Sequence, residues 1–208
     1  MHLALKGVKK MPVPCEHADI LGAMSAVIGL LRGVNVVGNH KIKMEELRNL
    51  CETNGLLNVT TYIQSGNVVF RLKGRGGVAA LAPRIEKAIE VQCGFRPHVM
   101  LRTIEQLRDV VARNPFAKRA NLDPSKLLVY FLKCEPTREA CAQARAIKTD
   151  PEELRVSGSE MYIYYLNGVG KSKLPMERIQ KALGTSGTGR NWNTVRKLLE
   201  LAEAVENA

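Results

Sequence analysis

Apolar residues in this chain switch between a strand-like period and a helical one, and they do so in the same order twice over. Ser25 to Arg32 reads as a buried strand, because its apolar run is continuous but short. A helix is expected from about Met44 to Asn54, with Met44, Leu47, Leu50 and Cys51 on one face and Gly55 as its stop. Val59 to Gln64 and Val68 to Leu72, rich in β-branched and aromatic residues, pair as a hairpin through Ser65-Gly66-Asn67. A second amphipathic helix carries Val78, Leu81, Ile85, Ala88 and Ile89 and stops at Gly94, and Pro97 to Arg102 supplies the next strand.

The second half runs through the same sequence of elements. Lys126 to Lys133 reads as a strand, Pro136 to Ile147 as a helix, and Glu153 to Val156 with Met161 to Tyr165 as a hairpin through Ser157-Gly158. Leu174 to Leu183 reads as a helix ended by Gly184, and Thr185 to Arg190 is the candidate for the closing strand. A β-α-β-β-α-β order met twice predicts an α+β fold of two ferredoxin-like subdomains, each an antiparallel sheet with helices on one face. The expected boundaries are 24–113 and 114–208; the repetition lies in the order of elements and not in residue identity. Thr103 and Gln106 have the spacing of a capping box that opens a linking helix, and a C-terminal helix from about Thr194 lines up Val195, Leu198, Leu199 and Ala202.

The 208 residues are 45% apolar and 25% charged, as in ordinary globular chains. The longest apolar run, Ala26 to Leu31, is far short of the ~20 residues that cross a bilayer, so no membrane span is expected. Lys and Arg outnumber Asp and Glu by 31 to 20, a net charge of +11 that favours phosphate-bearing partners, either an anionic small molecule or nucleic acid. Aromatic content of 5% pulls the other way, since single-strand binders stack bases on aromatic rings. Five cysteines, with no C-x-x-C pair, argue against a complete disulfide framework or a zinc site and fit a reducing cytoplasm. Residues 1–23 lack a continuous apolar stretch, so they are no signal peptide and contribute nothing periodic to the core.

Four polar stretches stand out: Leu30-Leu31-Arg32-Gly33-Val34-Asn35-Val36, Tyr62-Ile63-Gln64-Ser65-Gly66-Asn67, Gly168-Val169-Gly170-Lys171-Ser172-Lys173-Leu174, and Gly189-Arg190-Asn191-Trp192-Asn193-Thr194-Val195-Arg196-Lys197. Together they resemble the DUF1697 family, a group of bacterial proteins named for having no known function. The resemblance runs from Met24 to about Val205 and implies a duplicated α+β arrangement. It also implies that residues 1–23 are an added tail or a misassigned start, because members typically begin at the equivalent of Met24.

Each stretch has a chemical and a structural reading. Arg190 is suited to grip an anion in two-pronged fashion while Asn193 and the free N–H groups of the helix start assist; alternatively Asn191 or Asn193 caps the last helix and Trp192 anchors it. Lys171, Ser172 and Lys173 precede a helix and could contact phosphate, but the glycine spacing is not that of a P-loop. Arg32, Asn35 and Lys41 flank a Gly/Asn loop after a buried strand, and Gln64, Ser65 and Asn67 sit at a hairpin tip, where turn formation alone accounts for them equally well. Catalytic and cofactor machinery is unidentified, with His40 in the first polar loop the one acid/base candidate. Tyr162 and Tyr164 share a strand face that could stack bases or pack against the other subdomain. The leading expectation is a basic cleft between the subdomains holding an anionic, phosphate-containing ligand. Nucleic-acid binding and a purely structural or interaction role are the alternatives.

Overall fold

The computed structural model describes residues 25–36, 40–72 and 78–208. The expectation for residues 1–23 lies outside them. The first half builds β1 (Ala26–Arg32), α1 (Met44–Thr53), β2 (Leu56–Tyr62), β3 (Asn67–Leu72), α2 (Leu81–Cys93) and β4 (His98–Thr103). After α3 (Ile104–Ala112), the second half builds β5 (Leu127–Leu132), α4 (Arg138–Arg145), β6 (Glu153–Ser157), β7 (Glu160–Tyr164), α5 (Met176–Leu183), β8 (Gly187–Asn191) and α6 (Trp192–Glu206). The fold is α+β, with two four-stranded antiparallel sheets ordered β2-β3-β1-β4 and β6-β7-β5-β8.

Strand alternation explains how the layers stack. On β1, Ala26, Ile28 and Leu30 face a central core, while Val27 and Leu31 face an outer core formed with α1 and α2. On β5, Leu127, Val129 and Phe131 point to the same central core and Leu132 to an outer one beneath α4 and α5. Helices α3 and α6 fill the centre with Ile104, Leu107, Val110, Trp192, Val195 and Leu198, so one continuous apolar cluster joins both sheets. A strand buried on both faces cannot alternate with polar residues, which is why β1 appears in the sequence as an unbroken apolar run.

Several boundaries differ from the sequence reading: β2 begins at Leu56, ahead of Val59, with a register shift between Leu57 and Thr60, and three helix starts differ for local reasons. α4 begins at Arg138 because Thr137 accepts the N–H of Ala140 as its cap. α5 begins at Met176, after Pro175, whose ring disfavours helical backbone in the residue before it. α6 begins at Trp192, earlier than expected, because the extended Asn191 caps it with its side-chain oxygen on the N–H of Asn193 at 3.0 Å. The Thr103–Gln106 capping box forms, with bonds of 3.2 and 3.0 Å. Cys51, Cys93 and Cys141 are free and Cys134 is disulfide-bonded. An odd count argues against a complete framework but does not forbid a single bridge. Among the described residues no helix is long and apolar enough to cross a membrane.

Candidate functional site

Each half inserts an arginine from its last strand into the hairpin tip of the other. Arg190 on β8 is 6% exposed, and Nη2 donates to the carbonyls of Leu31 at 2.8 Å and of Ser65 and Gly66 at 3.2 Å. Its Nη1 donates to Thr188 Oγ1 and the Gly189 carbonyl, both at 2.8 Å, and its Nε to Asn67 Oδ1. Arg102 on β4 does the reverse. Its Nη2 donates to the carbonyls of Leu132 at 2.9 Å and Ser159 at 3.4 Å, its Nη1 to Leu101, and its Nε to Glu160 Oε1 at 2.9 Å.

The frames that receive the two guanidinium groups correspond. Leu31 N–H donates to the Gly66 carbonyl at 2.8 Å, and Leu132 N–H donates to the Ser159 carbonyl at 2.9 Å. Asn67 and Glu160 each open the second strand of their hairpin. The two clasps differ in charge: Arg102 has a carboxylate, whereas Arg190 has an amide and no acid among its partners. Burial accordingly pulls the Arg190 guanidinium down to about 10, opposed only by Tyr130.

This geometry corrects the anion-clamp expectation for Arg190 and Asn67. Every N–H group of Arg190 lies on protein acceptors, and the Asn67 amide, fully buried, also donates to the Tyr62 carbonyl and Ser65 Oγ. Other candidates are likewise structural. Asn35 bridges Ile42 and the Gln64 carbonyl at 2.8–2.9 Å, Asn191 caps α6 and donates to the Ser125 carbonyl, and Trp192 is packed in the central core. Ser172 Oγ accepts Leu174 N–H. Arg32 is half-buried, and its charge acts with that of Arg190 on the Tyr130 hydroxyl. The side chains of Lys41, Gln64, Lys171, Lys173 and Asn193 are exposed, without hydrogen bonds or ion pairs among the described residues. His40 stacks on Phe95 at 4.8 Å.

The tyrosine face is packed. Tyr162 is fully buried and donates its hydroxyl to the Val110 carbonyl at 2.8 Å, and Arg119 lies 4.2 Å over the Tyr164 ring. Neither ring is open to a base.

A cavity of about 530 Å³ lies beside the Arg102 clasp, bounded by residues of both halves. Val78, Ala82, Pro83, Val99, Met100 and Leu101 give it apolar walls, while Arg96, His98, Arg102 and Lys133 bring positive or titratable groups against the single acid Glu86. Glu86 accepts Val99 N–H at 2.9 Å and Arg96 Nε at 3.3 Å, which blocks much of the open edge of β4. Gln106 does the same at Thr103 N–H. Lys133 is exposed and unpaired among the described residues. None of the ligand-binding candidates named from the sequence lines this cavity. Arg102 and Glu160 were missed too; the signal available was that Arg102 and Arg190 both lie in the strand that closes a repeat.

A family model described as a protein of unknown function, DUF1697, matches residues 24–162. That match ends within β7, so the Lys171 and Arg190 stretches lie beyond it. Among solved structures, the conserved bacterial protein SP0830 from Streptococcus pneumoniae is similar with a TM-score of 0.65 and 24% identity, over 86% of this chain and 99% of its own. The likeness is one of fold. No curated protein matches.

Proposed function

The chain belongs to the DUF1697 family, a membership that carries no activity with it, and we propose that the protein binds a small anionic ligand with an apolar body in the cavity beside Arg102. One observation carries this reading: a void of about 530 Å³, walled by apolar side chains, is bordered by Arg96, Arg102 and Lys133 against one carboxylate. Such a mixture of apolar wall and a few convergent polar groups is the usual form of a small-molecule site. Arg102 is held by Glu160 and three carbonyls, an arrangement in which Nη1 has one acceptor for its two hydrogens among the described residues. Lys133, unpaired, is the direct contact. Leu101 N–H, on the open side of β4 between the positions taken by Glu86 and Gln106, is a further donor for a carboxylate or phosphate oxygen.

Nucleic-acid binding has less support, because the paired tyrosine face is buried and only charge remains in its favour. A thermal-shift panel of anionic metabolites tests the proposal: a ligand at 100 times its Kd adds about 2.7 kcal/mol. Lys133→Ala should weaken that ligand about tenfold, or about 1.4 kcal/mol, with the melting temperature of the free protein unchanged. Equal affinity in parent and variant, or no stabilising anion in the panel, refutes the reading.

A further inference from the structure

A second cavity, of about 630 Å³, lies between the end of α4 and the outer edge of β6. Glu152 lines it and is 5% exposed. Its backbone is fixed by Thr149, whose carbonyl accepts Glu152 N–H at 2.9 Å and whose hydroxyl donates to the Glu152 carbonyl at 3.0 Å. Its carboxylate has neither a hydrogen-bond donor nor an ion-pair partner among the described residues. Buried carboxylates are ordinarily paired, because desolvating an unpaired charge is expensive.

The neighbouring charges do not supply the missing partner: Arg145 and Asp150, which also line the cavity, are exposed and make no ion pair among the described residues. Glu153 is taken by Arg119 at 2.5 Å. Arg155 donates Nη1 to the Leu154 carbonyl at 3.0 Å and lies 5.9 Å over the Phe116 ring. Among the described residues no side-chain oxygen or nitrogen that is sealed from solvent lacks a partner, so the Glu152 oxygens keep an opening, and the cavity is the space that Glu152 lines.

We propose that Glu152 anchors a site for a primary ammonium group, carried by a small amine that occupies this cavity. An ammonium donates in three directions, and the carboxylate together with the carbonyls along the outer side of β6 can accept from it. A metal ion suits the place less well, since no three His, Cys, Asp or Glu side chains among the described residues gather to hold one. The site is separate from the anion cavity and of opposite preference, so either can fail without the other.

The test uses the full chain, with n-butylamine as the probe and N-butylacetamide as its uncharged counterpart. In two-dimensional amide NMR, n-butylamine should shift the resonances of Thr149, Leu154 and Val156 with a saturable dependence, and N-butylacetamide should not. Glu152→Gln, which keeps the shape and removes the charge, should weaken the amine by about tenfold or more. It should not lower the melting temperature, because the Glu152 carboxylate makes no hydrogen bond or ion pair among the described residues that the amide would lose. Equal shifts from the two probes, or no shift from n-butylamine, overturn the proposal even if the variant does not fold. Unchanged amine affinity in Glu152→Gln overturns it as well.

Discussion

Arg190→Ala separates a structural tie from a ligand clamp. Truncation leaves the Gly66 carbonyl bonded to Leu31 N–H, but it strips three buried acceptors, Asn67 Oδ1, the Leu31 carbonyl and Thr188 Oγ1, of the donors that Arg190 gives them. A buried acceptor left without a donor costs about 1–3 kcal/mol, so three would cost roughly 3–9 kcal/mol. Part of this returns, because a guanidinium without an acidic partner no longer has to be desolvated. The net expected loss is about 3–5 kcal/mol, a large share of the 5–15 kcal/mol that typically holds a domain together. Urea denaturation followed by circular dichroism measures it as a fall in the transition midpoint at unchanged slope. Arg190→Lys should recover little, since an ammonium cannot span the acceptors that the planar fork reaches. A loss below about 1 kcal/mol in Arg190→Ala would refute the reasoning and return Arg190 to the solvated surface.

Gly66→Ala should destabilise by more than about 2 kcal/mol, because Gly66 has φ +72° and an added Cβ would lie 2.3 Å from Val34 Cγ2 and 2.8 Å from Leu31 Cβ; an unchanged melting temperature would show that the tip can rearrange. Stability should also fall with rising pH above 9. Burial raises the Cys51 thiol from 9.0 to about 12 and the Tyr165 hydroxyl from 10.0 to about 12. Both are neutral when protonated, so their contribution is complete below the unfolded values and is lost as pH climbs towards 12, where the unfolded chain ionises and the folded one resists. Cys51 alone accounts for about 1.4 kcal/mol at about pH 10. Urea midpoints that do not move between about pH 8 and pH 10 contradict it.

Element identity was legible because it depends on neighbours in the chain. The unbroken run of β1, the stripe Met44, Leu47, Leu50 and Cys51, and the Thr103–Gln106 box are local patterns, and each leads directly to the element found. Differences gathered at element starts, where a cap such as Asn191 or a register shift such as that between Leu57 and Thr60 in β2 moves the boundary by a few residues. The candidate site was less legible. A charged residue such as Arg190 looks the same in sequence whether its guanidinium meets a ligand or four acceptors, three backbone carbonyls and an amide oxygen, more than a hundred positions away.

The sequence by itself therefore determined the order of strands and helices, their apolar faces and the family, since periodicity, caps and turn residues act over a few positions. Only the tertiary structure decided that Arg102 and Arg190 cross into opposite hairpins, that one finds Glu160 and the other Asn67, and that cavities open beside Lys133 and Glu152. Those facts depend on which distant segments share the central core, and long-range packing leaves no periodic mark along the chain.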